Sequence, residues 1–135
     1  MELVDEIAAM RQGRGNPGAL VGEFRRTPLL VPLVDGGLLT AVFGGVRWIH
    51  AFTDEAALAR FAQARNVPPD QEWEYVSLLG ARLTDAVIPS MDGPGGVAVN
   101  AADEDASMLF PPVKGIVPDA VAVDVDHADQ GEGAR

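Results

Sequence analysis

The rhythm of apolar and polar positions changes several times along the chain, and each change predicts an element. Over residues 2–12, Leu3, Ile7 and Met10 recur at helical spacing, with Val4, Ala8 and Arg11 on the adjoining rows. Glu2, Asp5 and Glu6 come early and Arg11 late, as a helix dipole favours. The "GRGNPG" run then ends the helix, so residues 1–15 are expected as a short helix or an arm. "PLLVPLV", 28–34, is a continuous apolar run of strand length, and Pro32 within it argues for a sheet edge or a bulge. Asp35 to Gly37 is a hairpin signal, "LLTAVF" at 38–43 a second strand, and Gly44-Gly45 another tight turn. "VRWIHAF", 46–52, alternates, with Val46, Trp48, His50 and Phe52 on one side and Arg47, Ile49 and Ala51 on the other. The three segments together predict an antiparallel meander over 28–52.

A helix follows from about Asp54 to Arg65, with Thr53 as the expected N-cap and Ala57, Leu58, Phe61 and Ala62 as its buried stripe. "NVPPD" stops it. "WEYVSLL", 73–79, predicts a strand, and "ARLTDAVIP" a short helix whose inner face is Leu79, Leu83, Ala86 and Val87. "VAVNA", 97–101, and "SMLFPP", 107–112, predict two late strands. Val121, Val123 and Val125 alternate well enough for another strand, but nothing core-forming comes after them. The fold class is therefore α+β: a mixed or mainly antiparallel sheet of about five to six strands, packed with two to three helices. Residues 16–113 are expected as the one domain and 114–135 as an acidic, weakly ordered tail.

Composition narrows the function. The 135 residues are 47% apolar, enough for a core, and carry a formal net charge of −10. Such a field repels a phosphate backbone, and Arg25-Arg26 is the only adjacent basic pair, so no nucleic acid is expected. There is no cysteine, which excludes disulfides, thiolate zinc and a cysteine nucleophile and suits a reducing cytoplasm. No window approaches about 18 continuous apolar residues, and the N-terminus is acidic where a secretory signal is basic, so no membrane segment is expected.

The chemistry-bearing residues are few. His50, one of two histidines, stands four residues before Asp54. An imidazole and an acid at a strand–helix joint suggest a pocket, for a small ligand or for catalysis, around His50 with Asp54 or Glu55. The same residues also read as architecture, since Thr53-Asp54-Glu55 suits a helix start. Ser77 lies in no nucleophile elbow. The glycines of "DGPGGVAVN" precede a strand and lack a lysine, which suits a turn better than a phosphate loop. Asp124, Asp126, His127 and Asp129 miss the calcium-loop pattern, with no glycine at its sixth position. No catalytic residue, cofactor or metal is therefore assigned.

The order of segments resembles the N-terminal domain of the SseB family. "PLLVPLV", then "VRWIHAFTDEAALARFA", then Trp73 with "LLGARLTDAVI", and finally "GGVAVNA" with "SMLFPP" carry the resemblance over residues 28–112. Ala101 stands where the family has a proline, and the C-terminal domain of longer members has no counterpart. The resemblance implies a compact α/β domain without agreed catalytic residues, often found in actinobacterial proteins. A single Lys beside abundant Ala, Gly, Val and Arg suits such a high-GC source. The function expected is non-enzymatic protein binding or adaptor work, with an unknown protein partner or a second copy of the chain. Its surface is expected at Trp48, His50, Phe52 and Trp73 or along the edge marked by Pro32.

Overall fold

The computed structural model of the chain describes residues 2–68 and 70–124. Helix α1, Leu3–Arg11, starts at Glu2, whose backbone N–H donates to the Asp5 carboxylate at 3.0 Å. Its Leu3 and Ile7 are fully buried, and Arg11 donates to the Ser107 carbonyl at 3.1 Å, so the expected helix is docked on the core. Helix α2, Pro17–Arg26, was not anticipated. Asn16 caps it by accepting from the Ala19 N–H at 2.9 Å, and Pro17 falls in the first turn, where its missing N–H breaks nothing. Leu20 and Phe24 form its buried stripe.

Strand β1, Pro28–Val34, turns through Asp35-Gly36 into the two-residue strand β2, Gly37–Leu38, and pairs on its other side with β5, Tyr75–Leu79. The order β2-β1-β5 makes β1 central, which corrects the edge expected from Pro32. Pro32 is buried, and its absent N–H is tolerated because regular pairing with β2 stops beside it. The neighbouring Leu33 N–H still donates to the Glu74 carbonyl at 2.8 Å. Strand β3, Thr40–Phe43, then leaves β1 and pairs antiparallel with β4, Val46–Ala51. The meander over 28–52 thus divides into two hairpins in separate sheets. Leu39 joins them: its N–H donates to the Pro32 carbonyl at 2.9 Å, and its carbonyl accepts from the His50 N–H at 3.0 Å. Leu30 and Phe52 bridge the sheets again by two 2.8 Å hydrogen bonds.

The second sheet has the order β3-β4-β6-β7, with β6 at Gly95–Val99 and β7 at Met108–Phe110. Strand β6 runs parallel to β4, from Arg47 opposite Gly95 to Ala51 opposite Val99, and antiparallel to β7. The chain is therefore α+β with one mixed and one antiparallel sheet. Helix α3, Glu55–Ala64, lies between β4 and β5, and a helical segment, Gly80–Ser90, follows β5. The middle of that segment, Leu83–Val87, is a π-turn, which advances the phase. Leu83, Thr84 and Ile88 face inwards, whereas the expected Leu79 and Ala86 are exposed.

Two apolar clusters flank β4. Ile49 and Ala51 join the larger one with α1, α2 and β6, where Phe24 stacks on Phe110 with ring centroids 4.2 Å apart. Phe52 turns to the smaller one with Ala57, Leu58 and Phe61 of α3. The first residues of the expected tail pack on the core: Val117 and Ala122 are buried, a 3₁₀ turn occupies Asp119–Val121, and Asp124 accepts from the Lys114 N–H at 2.6 Å. Asp126, His127 and Asp129 lie outside the described residues, as does Val125 of the expected late strand.

Candidate functional site

The strand–helix joint is built around Asp54, not Thr53. Asp54 is extended, and its carboxylate accepts from the Ala57 N–H at 2.8 Å, so it is the N-cap of α3. Thr53 instead binds Asn100, a buried side chain just beyond β6. Both neighbouring acids are thereby committed, because Glu55 accepts from the Tyr75 hydroxyl.

Among the described residues His50 consequently has no acid partner. Its ring stacks at a tilt on Phe61, 4.8 Å between centroids, and its Nδ1 is buried without a hydrogen-bond partner. Burial pushes its pKa below the usual imidazole value, and the positive charge of Arg65 pushes it the same way. This is the electrostatics of a packed neutral imidazole. The constellation His50 with Asp54 or Glu55 is not assembled.

The expected interaction surface is redistributed. Phe52 is fully buried against Phe61, and Trp48 is buried with its Nε1–H donating to the Phe43 carbonyl at 3.1 Å. Neither offers a free face. The Trp48 ring lies so close to Gly96 that a Cβ there would sit 2.6 Å from it. Gly96 therefore admits an indole, and Gly95 lies against the Met91 and Ile88 side chains, with no phosphate role required. His50 and Trp73 are half buried, and of that set Trp73 is the one that lines a concavity. On the opposite side of β4, the edge strand β3 exposes Val42 and Phe43, the latter 71% accessible.

The concavity holding Trp73 is an open groove of about 500 Å³ between α3 and the segment that returns to β5. Leu58, Ala59, Ala62, Val67, Pro68 and Trp73 line it with apolar surface. Glu55, Glu72 and Tyr75 supply its acidic and hydroxyl groups, and Gln63 and Gln71 its amides. Helix α3 is held in place from both sides. Phe61 packs inwards on Phe52 and Trp73, at 5.1 and 6.0 Å, and Arg60 forms a two-pronged ion pair with Asp103 at 2.6 and 2.8 Å. The volume is that of a small-molecule or peptide site. Among the described residues its polar lining is two carboxylates, a phenol hydroxyl and two amides, with no imidazole or serine hydroxyl.

Sequence reasoning marked Trp73 but not Glu55, Glu72 or Tyr75 as its neighbours. The available signal was the density of acids around that tryptophan, Asp70, Glu72 and Glu74 within "DQEWE". Among the described residues no helix is long and apolar enough to cross a membrane, and no group of three or more His, Asp or Glu side chains is placed to hold a metal ion. No family model matches the chain, and no curated protein or solved structure shows significant similarity to it.

Proposed function

We propose that the chain is a non-enzymatic protein-binding domain of the SseB-like type, an adaptor whose docking site is the groove between α3 and residues 67–75. The observation that supports this most is the groove itself: apolar walls with an indole, bordered by carboxylates. A cysteine-free chain suits a reducing compartment, and we assign the domain to the cytoplasm. Its net charge of −10 favours basic protein surfaces over nucleic acid.

The test is capture of partners from source-organism lysate by the wild type and by Ala59→Arg. Residue 59 is exposed on α3, so arginine there fills the groove at little cost to the helix. A partner that is then purified, binds the wild type directly and ignores the variant supports the reading. Direct partners that bind both proteins equally would remove the groove from it. Retention of a small molecule whose conversion by the protein can be followed would replace it with the enzyme reading.

A second reading, self-association, is favoured by the edge of β3. Its sequence "TAVF" carries no charge to protect an edge, and Val42 is 64% accessible. A second copy paired there would continue the sheet. Light scattering that shows a dimer in the wild type and a monomer in Val42→Lys supports it, and a monomeric wild type at high concentration disposes of it.

A further inference from the structure

On the protein-binding reading above, we infer that the groove takes a partner segment in which a large apolar side chain stands beside a Lys or Arg. The apolar wall formed by Leu58, Val67, Pro68 and Trp73 accounts for the first requirement. Charge accounts for the second. Among the described residues two carboxylates, Glu55 and Glu72, line the groove and no basic residue does. Asp70 and Glu74 flank Glu72 in the chain, so the mouth is acidic on the side of residues 70–74.

The arginines of this region are already committed. Arg60 is bound to Asp103, and the Arg65 guanidinium lies over the Phe61 ring at 4.9 Å. The Tyr75 hydroxyl engages only Oε2 of Glu55, and the Glu72 carboxylate has no side-chain partner among the described residues. A guanidinium or ammonium group entering beside Trp73 therefore meets an unpaired carboxylate and an aromatic ring together. A second copy of this chain, at −10, brings mainly the wrong sign, and so does any nucleic acid. The groove exceeds a single side chain in volume, so the apolar residue and its basic neighbour fit as a pair.

The experiment uses random dodecapeptides displayed on phage, panned on the immobilised full chain, with Ala59→Arg as the counter-target. The expected result is enrichment of sequences that share a Lys or Arg next to Trp, Phe, Leu or Met. A selected peptide, made synthetically, should bind the Glu55→Gln/Glu72→Gln variant about tenfold more weakly than the wild type and lose affinity at high salt. Enriched peptides that depend on the groove but lack a basic residue, or that bind the double variant equally well, overturn the inference and leave the protein-binding reading standing. If no peptide separates wild type from Ala59→Arg, the inference falls; the protein-binding reading falls with it only if direct lysate partners also fail to separate them.

Discussion

Asn100 accepts from the Thr53 backbone N–H at 3.0 Å and donates to the Thr53 hydroxyl at 3.1 Å, tying together the C-terminal ends of the parallel strands β4 and β6. Its amide also donates to the Ala106 carbonyl at 3.3 Å, and its own N–H reaches the Ala51 carbonyl at 2.9 Å. The residue sits at φ 52°, a left-handed conformation that asparagine accepts more readily than most residues. Asn100→Ala leaves the Thr53 N–H and the Ala106 carbonyl without these partners and strains the backbone. We expect it to cost about 3 kcal/mol in urea titration, the sum of a lost buried network and a left-handed alanine. Asn100→Gly relieves the backbone but not the network, so it should cost less than alanine by about 1 kcal/mol. Equal stabilities for alanine and wild type would show that the link holds nothing.

The start of α3 allows a direct comparison of neighbours. Asp54→Ala removes the acceptor for the Ala57 N–H and should destabilise by about 1 kcal/mol, while Asp54→Asn keeps the acceptor and should fall within a few tenths of wild type. Thermal melts of the two variants give the answer. An asparagine variant as damaged as the alanine one would mean that charge, and not capping, is what Asp54 supplies.

Gly80 begins the helical segment directly under α2. A Cβ built on it lies 2.1 Å from the Phe24 carbonyl oxygen, a backbone atom that cannot swing aside. Gly80→Ala must therefore part α2 from β5 and should cost about 3 kcal/mol or more in chemical denaturation. Gly37→Ala is the control, since its Cβ would meet nothing nearer than the Val34 carbonyl at 3.9 Å, and it should stay within about 0.5 kcal/mol. A mild effect at Gly80 would mean that the contact with α2 is looser than the structure has it.

These positions also show where the sequence could be read and where it could not. Strand β4 and helix α3 were legible because each carries an uninterrupted period over six or more residues, and β1 because it is an unbroken apolar run of strand length. Helix α2 was hidden because Pro17, Gly18 and Gly22 look like punctuation, although proline and asparagine were marking a helix start. Parallel pairing of β4 with β6 leaves no local trace, since periodicity records a strand's faces and not its neighbour. Pro32 misled for a related reason: whether its missing N–H matters depends on where the partner strand stops, at Leu38. The inner face of this segment was misjudged at Leu79 because that residue still belongs to strand β5, and at Ala86 because the π-turn at Leu83–Val87 shifts the helical phase. In the site, Trp73 stood out by type alone. Its union with Glu55 and Tyr75 depends on how the 66–74 return packs on α3, for which the sequence holds no period.

His50 gives the remaining prediction, in the pH dependence of stability. Burial, reinforced by Arg65, lowers the imidazole's pKa in the folded chain, whereas in the unfolded chain it stays near the ordinary value of about 6.5. Above that value both states are neutral and His50 adds no pH dependence. As pH falls through it, the unfolded state takes up the proton first, so the folded state loses stability until its own lowered pKa is reached. His50→Phe keeps an aromatic ring against Phe61 but cannot take up a proton. The stability of the wild type relative to this variant should therefore decline from pH 7 to pH 5, with a slope of less than one proton because the ring is only partly buried. The carboxylates and His127 are common to both proteins and cancel in the difference, so paired urea titrations across that range isolate His50. A difference that stays constant would mean that the folded imidazole is solvated like a free one. A relative stability that rises towards pH 5 would place an undetected acid beside it and restore the pocket once expected around His50 and Asp54.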